Sequence, residues 1–424
     1  MTLPPLVLGC IADDVTGATD IASTLANEGM RTVQVIGVPS PGSARPDADA
    51  IVIALKSRTI EPAVAVEQSL ESLRWLRGNG ALHIFFKYCS TFDSTDKGNI
   101  GPVADALLAA LRSDFTIACP AFPETGRRLV QGYLFVGDVL LSESPMRDHP
   151  LTPMRDANLV RVLGRQTRHP VQLIDFHTVE AGPMALATAG EKLRAQCVRY
   201  AIVDALSDRH LRDIGLAFFQ LPLLTGGSGL ARGLPDAYRR RGLLSERTSD
   251  HGLAATRGAS AVLAGSCSAA TLRQIAYHNR HYPCLALDPV RLADGPEERQ
   301  NAVRWALERL DSRPLIYTSA DPQVVARVQL ELGKDRAAQV AEAALAEIAC
   351  ALVEAGVDKL VVAGGETSGA VAQALQVTAL RIGAPIAPGV PWTSAIGKEP
   401  LALAFKSGNF GGDDFFTQAL ERAP

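Results

Sequence analysis

Two adjacent carboxylates, Asp13 and Asp14, close the first apolar run of the chain, and Thr16 and Gly17 follow at once. Carboxylates in such a place suit one task well: orienting a hydroxyl and accepting its proton. Capping of the following helix accounts for one of them and leaves the second unexplained. Cations stand at the ends of later apolar runs: Lys56 and Arg58 with Ser57 between them, Lys87, and Lys406. The loop 89–99, CSTFDSTDKGN, follows Lys87 and sets Ser90 and Asp93 among many hydroxyls and carboxylates. Its plain alternative is a solvated turn held by its own Asx and Ser/Thr hydrogen bonds. In PAFPETGRR, Arg127 or Arg128 could grip a carboxylate with two parallel bonds, and either could equally be a surface charge.

The second half carries a different chemistry. LVVAGGETSGAVAQAL (360–375) reads as a strand, a turn through Gly364 and Gly365, and a helix opening with Glu366, Thr367 and Ser368. Free N–H groups at a helix start attract anions, and glycines let the backbone approach a ligand. Thr367 and Ser368 are candidate caps for that helix. One such turn is weak evidence, because an ordinary strand-to-helix connection looks the same. SAVLAGSCS (260–268), with Ser266, and LALAFKSGNFGGDDFF (401–416), with Lys406 and Gly408, repeat the pattern. Three strand-to-Gly/Ser turns in one half read as the edges of one nucleotide pocket. Lys406 is a candidate for neutralising phosphate charge, or a structural lysine at a strand end.

The elements that position these groups alternate along the chain. Apolar runs at 6–12, 31–38, 50–55, 82–88 and 115–119 read as strands, with helical patterns between them. The alternation resumes at 158 and, after a polar stretch, runs again from 260 to the end, with 384–392 read as a Pro/Gly loop. This predicts an α/β protein of two domains, residues 1–245 and 259–424, joined by a linker at 246–258. Each is a mainly parallel sheet flanked by helices, and the active site is expected in the cleft between them.

Composition narrows the function classes. The chain has 424 residues, 47% of them hydrophobic and 21% charged, with a net charge of −3. That is globular, and too weakly basic for nucleic acid. Seven scattered cysteines without CxxC point to reduced thiols, and no HExxH or HxH cluster announces a metal site. His278 and His281 read as a solvated pair. No long apolar run suggests a membrane span, and the start lacks the pattern of a signal peptide, so the expected location is cytoplasmic.

Taken in order, the motifs resemble the four-carbon acid sugar kinase family over nearly the whole chain. ADDVTGATD (12–20), Lys87 with STFDST (90–95), PAFPETGR (120–127), DHPLTPM (148–154), GSCS, GGETSG and KSGNFG are similar to that family's segments. The resemblance implies an acid-sugar domain followed by an ATP domain. ATP would lie at Ser266, at Gly364, Gly365, Glu366 and Thr367, and at Gly408, with Lys406 beside it. Lys56, Arg58, Lys87, Ser90, Asp93 and Arg127 would face the acid sugar, with Asp14 or Asp13 accepting the hydroxyl proton. Members phosphorylate D-threonate, D-erythronate or 3-oxo-tetronate, and the ending FKSGNFGGDDFF resembles the 3-oxo-tetronate branch. Mg²⁺ is expected with the phosphates, held through water by Glu366 or Asp413. A homodimer is compatible with this reading; nucleic acid and membrane are not expected partners. Two other classes compete. A nicotinamide oxidoreductase would need a GxGxxG turn after a strand, which is absent. A non-catalytic acid and nucleotide sensor would need no transfer chemistry at all.

Overall fold

The computed structural model describes residues 5–93, 95–149, 152–245, 253–397 and 400–424. The chain divides into two compact units, Met1–Asp250 and His251–Pro424. The linker expected at 246–258 lies partly outside the described residues.

In the first unit, strands follow as β1 (Leu8–Ala12), β2 (Thr32–Ile36), β3 (Ala50–Ala54), β4 (His83–Lys87) and β5 (Thr116–Cys119). Then come β6 (Arg127–Val130), β7 (Tyr133–Val136), β8 (Val139–Leu140), β9 (Val171–Ile174), β10 (Tyr200–Val203) and β11 (Leu223–Gly226). Among the described residues the main sheet has the order β2-β3-β1-β4-β11-β5-β10-β9 and all its pairings are parallel. Strands β1 and β3 read LGCIA and AIVIA and are buried at every position. Continuous apolar runs of this kind belong to parallel strands covered on both faces. Parallel order puts the ends of β1, β3, β4 and β11 on one edge, and those ends carry Asp13, Arg58, Lys87 and Ser228.

Strands β6, β7 and β8 form a separate antiparallel sheet. Arg127 begins the first of these strands.

The second unit holds β12 (Ala259–Ala264), β13 (Cys284–Ala286), β14 (Leu315–Tyr317), β15 (Val357–Ala363), β16 (Ala379–Ala387), β17 (Val390–Ala395) and β18 (Ala402–Lys406). Its order is β13-β14-β12-β15-β18-β17-β16, parallel through β18 and antiparallel beyond it. The segment 384–392, expected as a loop, is instead the heart of the β16–β17 hairpin. Leu380, Ile382, Ile386, Val390 and Trp392 are buried along it, and the Trp392 Nε1 donates to the Ala419 carbonyl at 3.0 Å. Its prolines hide the strands from sequence patterning. The ladder tolerates them because Pro385 faces Pro391 at a break in register. His278 is also corrected: it is fully buried, its Nε2 3.0 Å from the Arg313 carbonyl, and is not a solvated partner of His281.

Candidate functional site

In the first unit the site grows from the end of β1. Helix Val15–Asn27 starts immediately after Asp14, whose extended backbone and side chain cap it. Asp14 Oδ1 accepts from the Gly17 N–H at 2.7 Å and Oδ2 from the Thr16 hydroxyl at 3.0 Å. Arg58 comes from the loop after β3. Its Nε and Nη2 each meet an oxygen of Asp13 at 2.9 Å, and Nη2 also lies 3.0 Å from Asp14 Oδ1. Two parallel charge-assisted bonds fix the guanidinium plane. Asn99 fixes the loop itself: its Nδ2 donates to the carbonyls of Ser57 at 2.7 Å and Ile60 at 2.9 Å.

The two aspartates differ. Burial pushes Asp13 up and the Arg58 guanidinium offsets this only in part, so its carboxyl lies above the usual range. Burial also opposes ionisation of Asp14, but Arg58, Lys87, the Gly17 N–H and the Thr16 hydroxyl outweigh it and hold the carboxyl below its usual range. The Asp14 side chain keeps 19% of its surface exposed and Asp13 8%, so Asp14 is the one a substrate can reach.

Lys87 is almost wholly buried, yet among the described residues its ammonium makes no hydrogen bond and no ion pair within 4 Å. It fits because residue 17 is glycine: a Cβ there would stand 2.8 Å from Nζ and would collide with Asp14 Oδ1. The site thus holds a buried cation with its donors unspent, next to a carboxylate at a helix start. That combination can take an anion and orient a hydroxyl beside it.

The remaining predicted residues are distributed more widely. Asp93 accepts from the Thr91 hydroxyl and lines a small cavity with Asp13, Ser57, Arg58 and Asn99. Ser90 is buried on the same loop, and Lys56 is exposed next to Ser57. The Arg127 Nη1 turns back to the Thr125 carbonyl, and the structure shows no bond from Arg127 to the Asp13–Arg58 cluster. Sequence reasoning passed over three participants. Asp20 and Ser228 bond to one another in the interior, and Asn99 aligns the Arg58 loop. Asp20 was legible in principle, since 14, 17 and 20 share one helix face.

In the second unit the three Gly/Ser turns converge. Helix Ala269–His278 is capped by Ser268, whose Oγ accepts from the Thr271 N–H at 3.2 Å and donates to the Gly408 carbonyl at 2.7 Å. A Cβ on Gly408 would collide with Ser266 Oγ and lie 3.0 Å from Ser268 Oγ, so the loops after β12 and β18 touch. Gly364 has φ of +129°, open to glycine and strained for other residues, and a Cβ there would be 3.2 Å from the Ser266 N–H nitrogen. Ser266, Gly364 and Gly408 therefore share one spot at the carboxyl ends of β12, β15 and β18, where open α/β sheets bind ligands.

Thr367 and Ser368 do not cap helix Gly365–Ala374, as the sequence suggested. Gly364 is the cap residue and brings no side chain to the first N–H groups, and both hydroxyls lie inside the first turn and are buried. The helix start carries no side-chain cap from its own cap residue. Lys406 is fully buried, and burial pulls its ammonium down to about 7. Its Nζ donates to the carbonyls of Ser407 at 2.8 Å and Gly408 at 2.9 Å. It braces the loop from inside. Of the two carboxylates considered for Mg²⁺, Asp413 is engaged by Arg273 at 2.9 Å, whereas Glu366 lies in the first turn after Gly364.

The two halves match two named domain types. Residues 8–234 fit a sugar-binding N-terminal domain, and residues 261–416 fit a nucleotide-binding C-terminal domain. The chain belongs to the family built from this pair, the acid sugar kinase family that its motifs resemble. Within it the chain is 56% identical over 414 residues to a 3-oxo-tetronate kinase of Burkholderia multivorans, covering 98% of this chain and 96% of that one. It is 55% identical over 419 residues to a 3-oxo-tetronate kinase of Cupriavidus necator, covering 98% and 97%. A solved Haemophilus influenzae protein matches with TM-score 0.76 and 44% identity, covering 98% of this chain and 99% of that one. No helix among the described residues is long and apolar enough to cross a membrane.

Proposed function

We propose that this chain is an ATP-dependent kinase that phosphorylates the C4 hydroxyl of 3-oxo-tetronate. What carries the reading is the Lys87 ammonium, buried and unspent beside Asp14, in a chain so similar to kinases of that name. The substrate carboxylate pairs with Lys87, and the terminal hydroxyl donates to Asp14. Transfer forms the bond from the C4 oxygen to the γ-phosphorus and breaks the bond from that phosphorus to the β–γ bridging oxygen. The hydroxyl proton passes to Asp14, and ADP departs. A carboxyl below its usual range is a weak base. That suffices here, because phosphoryl transfer has a loose transition state in which positioning and charge stabilisation dominate.

ATP phosphates rest on the N–H groups of Gly364–Thr367, with Ser266 and Gly408 beside them. Mg²⁺ would be held mainly by phosphate oxygens, with Glu366 reaching it through water, and would supply charge neutralisation. The reaction takes place in the cytoplasm, where ATP and reduced thiols prevail.

ADP release with MgATP is measured against 3-oxo-tetronate, D-threonate, L-threonate and D-erythronate. Strong preference for 3-oxo-tetronate is expected. Preference for a threonate or D-erythronate would move the substrate and keep the mechanism. No turnover with any acid would overturn the kinase reading in favour of a sensor.

A further inference from the structure

Asp20 is a carboxylate that the proposed transfer does not use. It lies on helix Val15–Asn27, one turn beyond Gly17, and is 3% exposed. The 3₁₀ turn Ser228–Gly233 packs against that helix, and the Ser228 hydroxyl donates to Asp20 Oδ2. Asp20 Oδ1 is buried with no hydrogen-bond partner. Lys87 Nζ fills the gap left by Gly17 beside Asp14, and Asp20 lies one helical turn further along from Gly17. Lys87 bonds to neither carboxylate.

We propose that Asp20 is a positioning residue for Lys87, and that its loss of charge on protonation accompanies capture of the substrate carboxylate by that ammonium. The proposal rests on the reading that Lys87 binds the acid. Without Asp20, three carboxylates (Asp13, Asp14, Asp93) already outnumber the two cations (Arg58, Lys87) at this end of the sheet. An ionised Asp20 adds an uncompensated negative charge that opposes an incoming anion, and a protonated one does not. Ser228 from the 3₁₀ turn bonds Asp20, and the charges that act on it electrostatically are Lys87 from β4, Arg232 from the 3₁₀ turn and Asp14 at the helix start. Arg232 is itself held by Glu124 and Asp208, which leaves Lys87 as the cation free to respond. Burial pushes the Asp20 carboxyl up to about 6, against the pull of Lys87 and Ser228, so it changes charge near neutral pH. An anion paired with Lys87 withdraws part of that pull and pushes the carboxyl higher still. A proton is then taken from solvent as the acid binds.

The test is calorimetric titration of the full chain with 3-oxo-tetronate at pH 7, in buffers of different ionisation enthalpy. Wild type should take up a measurable fraction of a proton per acid bound. Its affinity should fall roughly fivefold to tenfold from pH 5.5 to 8, since one pKa unit of mutual interaction carries at most a factor of ten. The acid itself stays ionised over that range. Asp20→Asn should abolish the uptake and flatten the pH profile, and it should not alter affinity for ATP. No uptake by wild type, or equal uptake in Asp20→Asn, overturns the proposal; the wild-type result needs no variant to fold. Lys87→Met separates the two levels of inference. Undiminished acid binding in that variant overturns the underlying reading, whereas lost binding together with a pH-flat wild type overturns only the role of Asp20.

Discussion

Gly17→Ala adds one methyl group at the most crowded point of the first unit. The new Cβ would collide with Asp14 Oδ1 and stand 2.8 Å from Lys87 Nζ. Two effects on stability oppose each other. Alanine in a helix is favoured over glycine by about 1 kcal/mol. Displacing the Asp14 cap costs about 0.5–2 kcal/mol. The net change in stability is therefore within about 1 kcal/mol, a shift in Tm of a few degrees at most. The effect on substrate is larger, because the carboxylate and the ammonium must both move. Each charge-assisted hydrogen bond to substrate is worth about 1.5–3 kcal/mol. Loss of one or both should raise KM for the acid roughly 10- to 100-fold or more and lower kcat. KM for ATP should stay unchanged, since its loops lie in the other unit. Steady-state kinetics with each substrate varied in turn, beside a thermal melt, measures all of this. A variant with unchanged acid KM and kcat would refute the assignment of Asp14 and Lys87 to the acid.

Gly408→Ala is the mirror experiment. Its Cβ would collide with Ser266 Oγ, and the overpacking costs about 1–3 kcal/mol. KM for ATP should rise and KM for the acid should not; the reverse pattern would move the nucleotide elsewhere. Arg58→Ala leaves Asp13 buried without its partner and should cost about 3–5 kcal/mol in urea unfolding. A loss under about 1 kcal/mol would mean that the pair is structurally idle. Asp20 also marks the pH dependence of stability. Its carboxyl is raised from 3.8 to about 6, so the wild type holds this contribution in full below pH 4 and loses it as pH rises through 6. Two pKa units amount to on the order of 3 kcal/mol. Asp20→Asn should lack that decline and gain on wild type above pH 6, and parallel stability–pH curves would refute the buried ionisation.

The sequence by itself determined the α/β alternation, the two-part chain and the family. Continuous short runs such as LGCIA read as buried strands, and the acidic, Gly and Ser residues that punctuate them fall where such strands end. It also placed Asp14, Lys87, Gly364 and Gly408 at those ends, because cap chemistry and glycine turns are local. What lay beyond it depends on residues far apart in the chain. Pro385 and Pro391 read as loop until pairing across a hairpin made them strand. Lys406 read equally as a phosphate ligand or a structural lysine, and only the fold shows its Nζ donating to the Ser407 and Gly408 carbonyls. Arg58 and Asp13 give no hint of each other across the intervening chain, and their pairing is what separates Asp13 from Asp14. Only the tertiary structure could decide that Lys87 is buried with no partner among the described residues, since burial and pairing are properties of the surroundings and not of the residue.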